Sequence, residues 1–281
     1  MPALLSPTRC ESFVTAMGSN PFADALIRGL DPVELCRNLE MQPDPWQVDV
    51  LRSRHPRILL NAARQSGKST VAALLALHVA LFQRGSTVLV LSPGQRQSKL
   101  LFDKSVQAYR ALGRPLVSES ESALSLRLEN GSQIVALPGS APLIRGYSVR
   151  LLVVDEASRV PDDVYAAVRP ALAVSGGRII AISTPAGQRG WWYEAWRSKI
   201  EPWQRFEIPA TQCPRIPREY LDAERLSNPF FESEYMCSFV AADPERVFPA
   251  DALAQAFEHR GEAISWPSRD RDRDHGGRER E

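Results

Sequence analysis

The chain has 281 residues, of which 44% are hydrophobic and 24% charged, and its formal net charge is +1. This length and composition are those of a globular protein with a substantial core, and they exclude a disordered, collagen-like or fibrous chain. No apolar run reaches the ~18–20 residues of a membrane span, and the N-terminus does not have the pattern of a secretory signal. The cysteines, at positions 10, 36, 213 and 237, form no CxxC pair, which argues against a zinc site and predicts reduced thiols in a cytoplasmic protein.

Residues 1–42 carry scattered apolar positions and several prolines, which predicts short helices at the periphery. From Pro56 onward, short apolar runs rich in β-branched residues alternate with longer helical patterns. The predicted strands are residues 58–61, 88–92, 151–155 and 178–183, and the predicted helices are 69–83, 98–112 and 162–173. This alternation predicts an α/β fold with a mostly parallel β-sheet flanked by helices.

Two segments depart from that alternation. Residues 122–128 and 133–137 alternate in hydrophobicity on either side of Asn130-Gly131, which predicts a β-hairpin added to or inserted at the edge of the sheet. After Pro209 the strand–helix pattern ends, and residues 217–240 are predicted to be a small C-terminal helical segment. Residues 260–281 have low complexity and are predicted to be a disordered tail.

The strongest local motif is the segment 62–69, Ala-Ala-Arg-Gln-Ser-Gly-Lys-Ser, which follows a predicted strand and opens a predicted helix. In such a loop the backbone N–H groups and the helix N-terminus surround an anion with positive potential. Lys68 would reach the β- and γ-phosphates of ATP, and the Ser69 hydroxyl would bind Mg²⁺. Ala62 stands where a glycine is usual and resists a positive φ. The candidate nucleotide-binding residues of the loop are Arg64, Gln65, Ser66, Gly67, Lys68, Ser69 and Thr70. The alternative is an accidental strand–helix turn.

A second motif places four apolar residues, 151–154, directly before Asp155 and Glu156. A buried parallel strand delivers its C-terminal residues to the crevice in which open α/β sheets bind ligands. Asp155 would hold Mg²⁺, directly or through water, and Glu156 would accept a proton from the water that attacks the γ-phosphate. The alternative is an acidic pair that only caps the following helix.

Two further segments carry candidate nucleotide-binding residues. The amide of Gln47 can donate to and accept from an adenine edge, and Trp46 offers a flat surface for stacking. Ser183 and Thr184 follow a predicted strand and could bond the γ-phosphate or the catalytic water. The alternatives are a core tryptophan beside a surface glutamine, and a plain strand–turn punctuated by proline and glycine.

In this order, the motifs resemble those of the large terminase subunits of tailed bacteriophages, and the resemblance covers roughly residues 40–250. An arginine inside the phosphate loop is typical of these motors, and so is an Arg-Gly pair shortly before the acidic strand. The segment 234–239 resembles the end of their ATPase domain. The motifs that carry the resemblance are Trp46-Gln47, the loop 63–69, Ile144-Arg145-Gly146-Tyr147, the segment 153–157 and Ser183-Thr184-Pro185.

The resemblance implies a P-loop, helicase/terminase-like ATPase that uses ATP and Mg²⁺ to drive double-stranded DNA into an empty viral procapsid in the bacterial host cytoplasm. It further implies a homo-oligomeric ring on the portal protein, a small terminase subunit as partner, and no membrane. Arg145 would act as an arginine finger in a neighbouring subunit's site, a role that suits a planar guanidinium that stays charged. The alternative for Arg145 is a surface salt bridge before a glycine turn. Arg64 would contact the γ-phosphate in cis, and Ser183 and Thr184 would couple hydrolysis to motion.

The implied organisation has four parts: an N-terminal helical periphery (1–42), the ATPase core (43–210), a helical lid or linker (211–250) and a charged tail (251–281). Family members usually continue into a ribonuclease-H-like nuclease domain with an acidic metal cluster, which we do not expect in this chain. Arg96 and Lys99 are weak candidates for contact with a DNA backbone. The alternatives left open are a helicase-like, nucleic-acid-stimulated ATPase and an inactive, truncated prophage remnant.

Overall fold

One eight-stranded sheet organises the part of the chain that this computed structural model describes, residues 21–139, 146–200 and 202–240. In chain order the strands are β1 (Arg57–Ala62), β2 (Thr87–Ser92), β3 (Ser118–Glu121), β4 (Ser125–Leu128), β5 (Gln133–Pro138), β6 (Leu151–Asp155), β7 (Arg178–Ser183) and β8 (Gln204–Ile208). The helices are α1 (Pro21–Leu30), α2 (Val33–Asn38), α3 (Pro45–Arg52), α4 (Lys68–Phe82), α5 (Gln95–Ala111), α6 (Asp162–Ser175), α7 (Gly190–Arg197), α8 (Arg218–Ser227) and α9 (Phe231–Glu234). Short 3-10 helices occupy Ala157–Arg159 and Ala210–Gln212.

The strands lie in the order β3-β4-β5-β2-β6-β7-β1-β8. From β5 to β8 every neighbouring pair is parallel, whereas β3 pairs with β4 and β4 with β5 in antiparallel fashion. The predicted mostly parallel sheet with a hairpin at one edge is therefore confirmed. The central strand β6 is buried along its whole length, which explains its uninterrupted apolar sequence.

Two apolar clusters cover the two faces of the sheet. In β1, β2, β6 and β7, alternate side chains enter opposite clusters, as the two-residue period of a strand requires. In β1, for example, Ile58 and Leu60 face one cluster and Leu59 the other. The first cluster contains most of α4, a helix that is apolar on all sides because it lies in the core. The second cluster contains residues of α6 and α7, including Trp191 and Trp192.

The structure agrees with the four predicted α/β strands to within one residue at each end, and it adds two edge strands. β3 and β8 escaped prediction because edge strands are only partly buried: β3 consists of serine and glutamate, and β8 is buried only at its last residue. The predicted helix 98–112 begins at Gln95, and the first hairpin strand begins at Ser125 rather than at residue 122.

The prediction of helix throughout residues 217–240 is wrong. α8 ends at Ser227, α9 spans four residues, and residues 237–240 have no regular structure. The interruption falls at Asn228, which is extended (ψ 110°) because the following Pro229 disfavours helical backbone in the residue before it. Pro217 caps α8, immediately outside its first turn.

The described residues all belong to one compact unit, and the predicted tail lies outside the described residues. Within these residues, no helix is long and apolar enough to cross a membrane. Cys36, Cys213 and Cys237 are buried free thiols. Burial raises the pKa of the Cys213 thiol to about 11 and that of Cys237 to about 12.

Candidate functional site

The loop between β1 and α4 has left-handed backbone at two positions, Gln65 (φ 59°) and Gly67 (φ 95°). Gly67 directly precedes the first helical residue, Lys68, and a Cβ atom at Gly67 would lie 2.9 Å from Gln47 Nε2. The left-handed backbone therefore favours glycine there, and any larger residue would also have to displace the Gln47 amide. Ala62 is the extended last residue of β1, so its resistance to a positive φ is no obstacle to this loop.

The loop leads into a helix N-terminus, where the first amides have no intrahelical acceptor and the helix dipole favours an anion. The Lys68 side chain is only 8% exposed, and Ser66 is fully buried. Ser69 and Thr70 in the first turn are half-buried. A buried cation beside a cluster of backbone amides is an arrangement that binds phosphate.

Asp155 ends β6 close to this loop. Its Oδ2 lies 3.5 Å from the Ser69 hydroxyl oxygen, and its Oδ1 accepts a hydrogen bond from the Glu156 backbone N–H (3.0 Å). Burial, assisted by the charge of Glu156 and opposed by that of Lys68, raises the pKa of Asp155 from 3.8 to about 6. A divalent cation at this carboxylate would favour its charged form.

Glu156 stands in a left-handed conformation (φ 50°, ψ 44°) at the start of the 3-10 helix Ala157–Arg159. This conformation is unusual for a residue with a side chain and costs about 1–3 kcal/mol, so the surrounding contacts must stabilise it. Such strain is frequent at functional sites. The side chain is partly exposed and is accessible to water.

The end of β7 is bonded to the turn that carries Glu156. Ser183 Oγ lies 2.7 Å from Ser158 Oγ and accepts a hydrogen bond from the Ser158 backbone N–H (3.2 Å). The Ser158 hydroxyl also donates to the Thr184 carbonyl (2.9 Å). Sequence reasoning did not single out Ser158; its position three residues after the acidic strand was the available signal.

Trp46 and Gln47 open α3 beside the phosphate loop. Trp46 is 6% exposed and belongs to the first apolar cluster, so the structure places it in the core and leaves it no open face for an adenine. Gln47 Oε1 accepts a hydrogen bond from the Asp44 backbone N–H (2.9 Å), which caps α3. Gln47 thus lies next to Gly67 with its carbonyl oxygen already engaged.

Arg215 bridges α3 to the phosphate loop, a role that no local motif predicted. Its Nη2 donates to the Ser66 carbonyl (2.9 Å) and to Asp44 Oδ2 (2.9 Å). Arg215 follows the 3-10 helix Ala210–Gln212 and is far from the loop in sequence, so only the fold reveals the contact. The guanidinium is a positioning group because it bonds the backbone of the loop.

Arg64 is bound to α9. Its backbone N–H donates to the Glu234 carbonyl (2.8 Å), and its Nη1 lies 2.7 Å from Glu234 Oε1. The side chain is 60% exposed. Two further bonds attach the same segment to the core: Ala210 N–H donates to the Tyr235 carbonyl (2.7 Å), and Asn61 Nδ2 donates to that of Cys237 (2.9 Å). Glu234 is therefore a neighbour of the phosphate loop that sequence reasoning had not identified.

The structure thus brings together Lys68, Ser69, Asp155 and Glu156. Ser183 and Thr184 are bonded to Ser158, in the turn that follows Glu156. Arg145 lies outside the described residues, whereas Gly146 (φ 97°) and Tyr147 of the same motif lie within them. No group of three His, Cys, Asp or Glu side chains in the described part of the chain could hold a metal ion. A cation held by Ser69 and Asp155 would therefore take its other ligands from phosphate and water.

Comparisons with known proteins give consistent findings. The family described as "Terminase large subunit, T4likevirus-type, N-terminal" matches residues 59–255. The large terminase subunits of Thermus phage G20c and Thermus virus P23-45 are each 26% identical over an alignment of 187 residues, and the match covers 58% of this chain and 38% of theirs. This chain therefore spans well under half the length of these relatives.

Solved structures give the same result for the fold. The ATPase domain of the Thermus phage P74-26 large terminase superposes with a TM-score of 0.66 at 25% identity, covering 75% of this chain and 100% of that one. The large terminase of a thermophilic bacteriophage gives a TM-score of 0.60 at 14% identity, covering 71% of this chain and 54% of that one. At 14% identity the likeness extends to the fold alone.

Proposed function

Because this chain belongs to the terminase large subunit family, of the T4likevirus type and through the N-terminal part of that subunit, we propose that it is a DNA-packaging ATPase. It would hydrolyse ATP with Mg²⁺ to drive double-stranded DNA into a viral procapsid. The observation that carries the proposal is the 3.5 Å approach of the Ser69 hydroxyl to Asp155, with Glu156 next in the chain. Among the similar structures, that from Thermus phage P74-26 is of an ATPase domain, and the large terminase of the thermophilic bacteriophage has been solved with ADP and with ATP-gamma-S.

The Lys68 side chain and the backbone amides of Gln65 and residues 67–69 would bind the β- and γ-phosphates, whereas the Arg64 amide is bonded to the Glu234 carbonyl. The burial of Lys68 strengthens its attraction for phosphate because less water screens the pair. Arg215 would support the same step by holding the Ser66 carbonyl and therefore the course of the loop. Gln47 is the candidate for contact with adenine, and that contact requires its amide to exchange partners.

Ser69 and Asp155 would hold Mg²⁺, which when bound neutralises charge on the phosphates. Both residues offer oxygen donors, which Mg²⁺ prefers. The buried Asp155 carboxyl, with its pKa near 6, also fits because an adjacent cation would keep it ionised at neutral pH. The residues present are therefore suited to the ion.

Glu156 would accept the proton of the attacking water. A base has to be held in position to act in this way, and the bonds between Ser158 and Ser183 hold the turn that follows Glu156. Ser183 and Thr184, at the end of β7, would transmit the effect of hydrolysis from the turn after Glu156 to β7, and so couple hydrolysis to motion of the sheet. Arg64 would contact the γ-phosphate in cis and would have to leave Glu234 to do so, while Arg145 would act on a neighbouring subunit's site.

The proposed partners are double-stranded DNA, the portal protein, a small terminase subunit and further copies of this chain in a ring, all in the bacterial host cytoplasm. Within the chain, residues 43–210 would form the ATPase core and 211–250 a lid or linker. The bonds from Glu234 to Arg64 in the loop and from Cys237 to Asn61 in β1 support a lid or linker held next to the nucleotide site.

Steady-state phosphate release with Mg²⁺, measured over a range of protein concentrations and with or without linear duplex DNA, tests the proposal. We expect hydrolysis that duplex DNA stimulates, and its loss in Lys68→Ala, because that change removes charge from the phosphates. Lys199→Ala, which removes an exposed lysine far from the site along the chain, is the matched control and should retain wild-type turnover. Absence of hydrolysis with DNA and portal would refute the proposal, and strand separation would favour a helicase-like ATPase.

A further inference from the structure

The strands that carry the nucleotide site have arginines at their opposite ends. β1, β6 and β7 end at the phosphate loop, Asp155 and Ser183, respectively. At the other edge of the sheet, Arg54 lies three residues before β1, Arg150 directly precedes β6, and Arg178 is the first residue of β7. Since these strands are parallel and neighbouring, their starts lie together. We call Arg54, Arg84, Arg150 and Arg178 the arginine edge, with Arg84 preceding the parallel strand β2.

Three of these arginines donate hydrogen bonds to neutral groups. Arg178 donates from Nη2 to the Ser53 carbonyl (2.8 Å) and from Nε to the His55 carbonyl (3.3 Å). Arg150 donates to Gln83 Oε1 (2.6 Å), and Arg54 to the Leu30 carbonyl (3.2 Å). None of the four forms an ion pair with a carboxylate of residues 21–139, 146–200 or 202–240. Their charges are therefore uncompensated within that part of the chain.

The positive charges of the arginine edge also repel one another. The pKa of Arg178 is lowered, first by burial and then by the charges of Arg54 and Arg150. Neighbouring like charges destabilise one another, and an anion placed among them would relieve that repulsion. Arg178 is half-buried, while Arg54, Arg84 and Arg150 are exposed, so the edge offers one embedded guanidinium surrounded by accessible ones.

Two adjoining cavities open on the arginine edge. One, of about 360 Å³, is lined by Arg52, Arg54 and Arg178, and the other, of about 400 Å³, by Arg84 and Arg150, with Gln83 common to both. Among the described residues, the one carboxylate that lines either cavity is Asp31, which is already paired with Arg52 at 2.7 Å. The lining therefore has a net positive charge and has room for a ligand.

We propose that the arginine edge binds the phosphate backbone of double-stranded DNA, on the edge of the sheet opposite the nucleotide site. This inference rests on the proposed function, because DNA is the ligand on which a packaging ATPase acts. Guanidinium forks match phosphate oxygens, and contacts to the backbone do not depend on base sequence, as a packaging motor requires. Lys99, a weak candidate from the sequence, is instead paired with Asp103 (2.6 Å).

The proposed DNA site and the nucleotide site lie at opposite ends of the same strands. Strands of five or six residues span ~16–20 Å at ~3.3 Å per residue. DNA at their starts and ATP at their ends would therefore not compete for space. Because β6 and β7 each carry an arginine at one end and a residue of the nucleotide site at the other, a displacement of either strand would reach both ligands.

The test measures how the double variant Arg54→Ala/Arg150→Ala and the wild-type chain bind a labelled linear DNA duplex over a range of salt concentrations. Because each phosphate contact contributes ~0.9 to the slope of log affinity against log salt, losing two contacts should reduce that slope by ~2 and weaken binding about tenfold or more at low salt. Arg197→Ala/Arg218→Ala removes the same charge from exposed positions on α7 and α8 and should leave the slope unchanged. Arg54→Lys/Arg150→Lys should largely preserve the slope because it retains the charges.

Thermal unfolding and DNA-free ATPase activity should match wild type in all three variants, which separates lost contacts from lost folding. An unchanged slope in Arg54→Ala/Arg150→Ala overturns the inference while leaving the proposed ATPase intact. Polyglutamate binding is measured in parallel. If Arg54→Ala/Arg150→Ala loses polyglutamate binding but keeps DNA binding, the inference is also overturned, and the arginine edge is assigned to an acidic protein. A wild-type chain that binds no duplex also refutes the inference, and absence of ATP hydrolysis refutes the proposed function instead.

Discussion

Asp155→Asn should stabilise the nucleotide-free protein while abolishing its ATPase activity. Burial raises the pKa of this carboxyl from 3.8 to about 6 in the folded state, so the folded protein holds its proton more tightly than the unfolded chain does. A shift of about two units at 1.36 kcal/mol per unit corresponds to about 3 kcal/mol. The stability contribution of the protonated acid is fully present below pH 3.8 and is lost as pH rises through about 6. Asparagine does not titrate and should avoid that loss.

Chemical denaturation of wild type and variant between pH 4 and pH 7.5 measures the effect. The difference in unfolding free energy, variant minus wild type, should grow by about 3 kcal/mol as pH rises through the window between the two pKa values. Asp222→Asn, at an exposed position on α8, is the control and should give a flat difference. A difference for Asp155→Asn that is also flat, or that falls with pH, would refute the buried-acid argument. Adding ATP and Mg²⁺ should stabilise wild type more than the variant.

Three further outcomes are expected. Arg215→Ala should raise the KM for ATP about fivefold while leaving kcat within about twofold, since a half-exposed charged hydrogen bond to the loop is worth about 1 kcal/mol; Arg215→Lys should recover part of it, and a loss confined to kcat would contradict the positioning role. Glu156→Gln should retain nucleotide binding, seen by equilibrium titration, but reduce turnover about 10²-fold or more, and wild-type turnover would exclude it as the base. Arg145→Ala rings should be inactive yet regain partial activity when mixed with Glu156→Gln subunits, because intact Glu156 sites can borrow Arg145 from neighbours; no recovery in demonstrably mixed rings would exclude action in trans.

Much of the nucleotide site follows from short stretches of sequence. The apolar run 151–154 predicts a buried strand, and the next two residues must then emerge at its C-terminal end. The loop before α4 is equally local, since the left-handed backbone at Gly67 and the helix that begins at Lys68 depend on consecutive residues. Parallel strands place their ends at one edge of a sheet, so the meeting of Ser69 and Asp155 could be anticipated without coordinates.

Side-chain environments could be anticipated less well. The sequence around Trp46 is the same whether its side chain stacks on a ligand or fills the core. The side chain is buried in the core because α3 packs against the first apolar cluster. The single helix expected over residues 217–240 ends at Ser227 instead, because Pro229 disfavours helical backbone at Asn228. The edge strand β8 forms through pairing with β1, which its own mixed sequence does not specify.

By itself, the sequence determined the α/β class, the parallel central strands, the phosphate loop and the acidic strand end, because each depends on backbone geometry and burial patterns within a few neighbouring residues. Only the tertiary structure decided that Arg215 bonds the Ser66 carbonyl, that Ser158 bonds Ser183, and that arginines distant in sequence gather at one edge of the sheet. These contacts join segments from 25 to 149 residues apart. Their partners are set by strand order and register, which arise from the packing of the whole sheet and not from the pattern of any single segment.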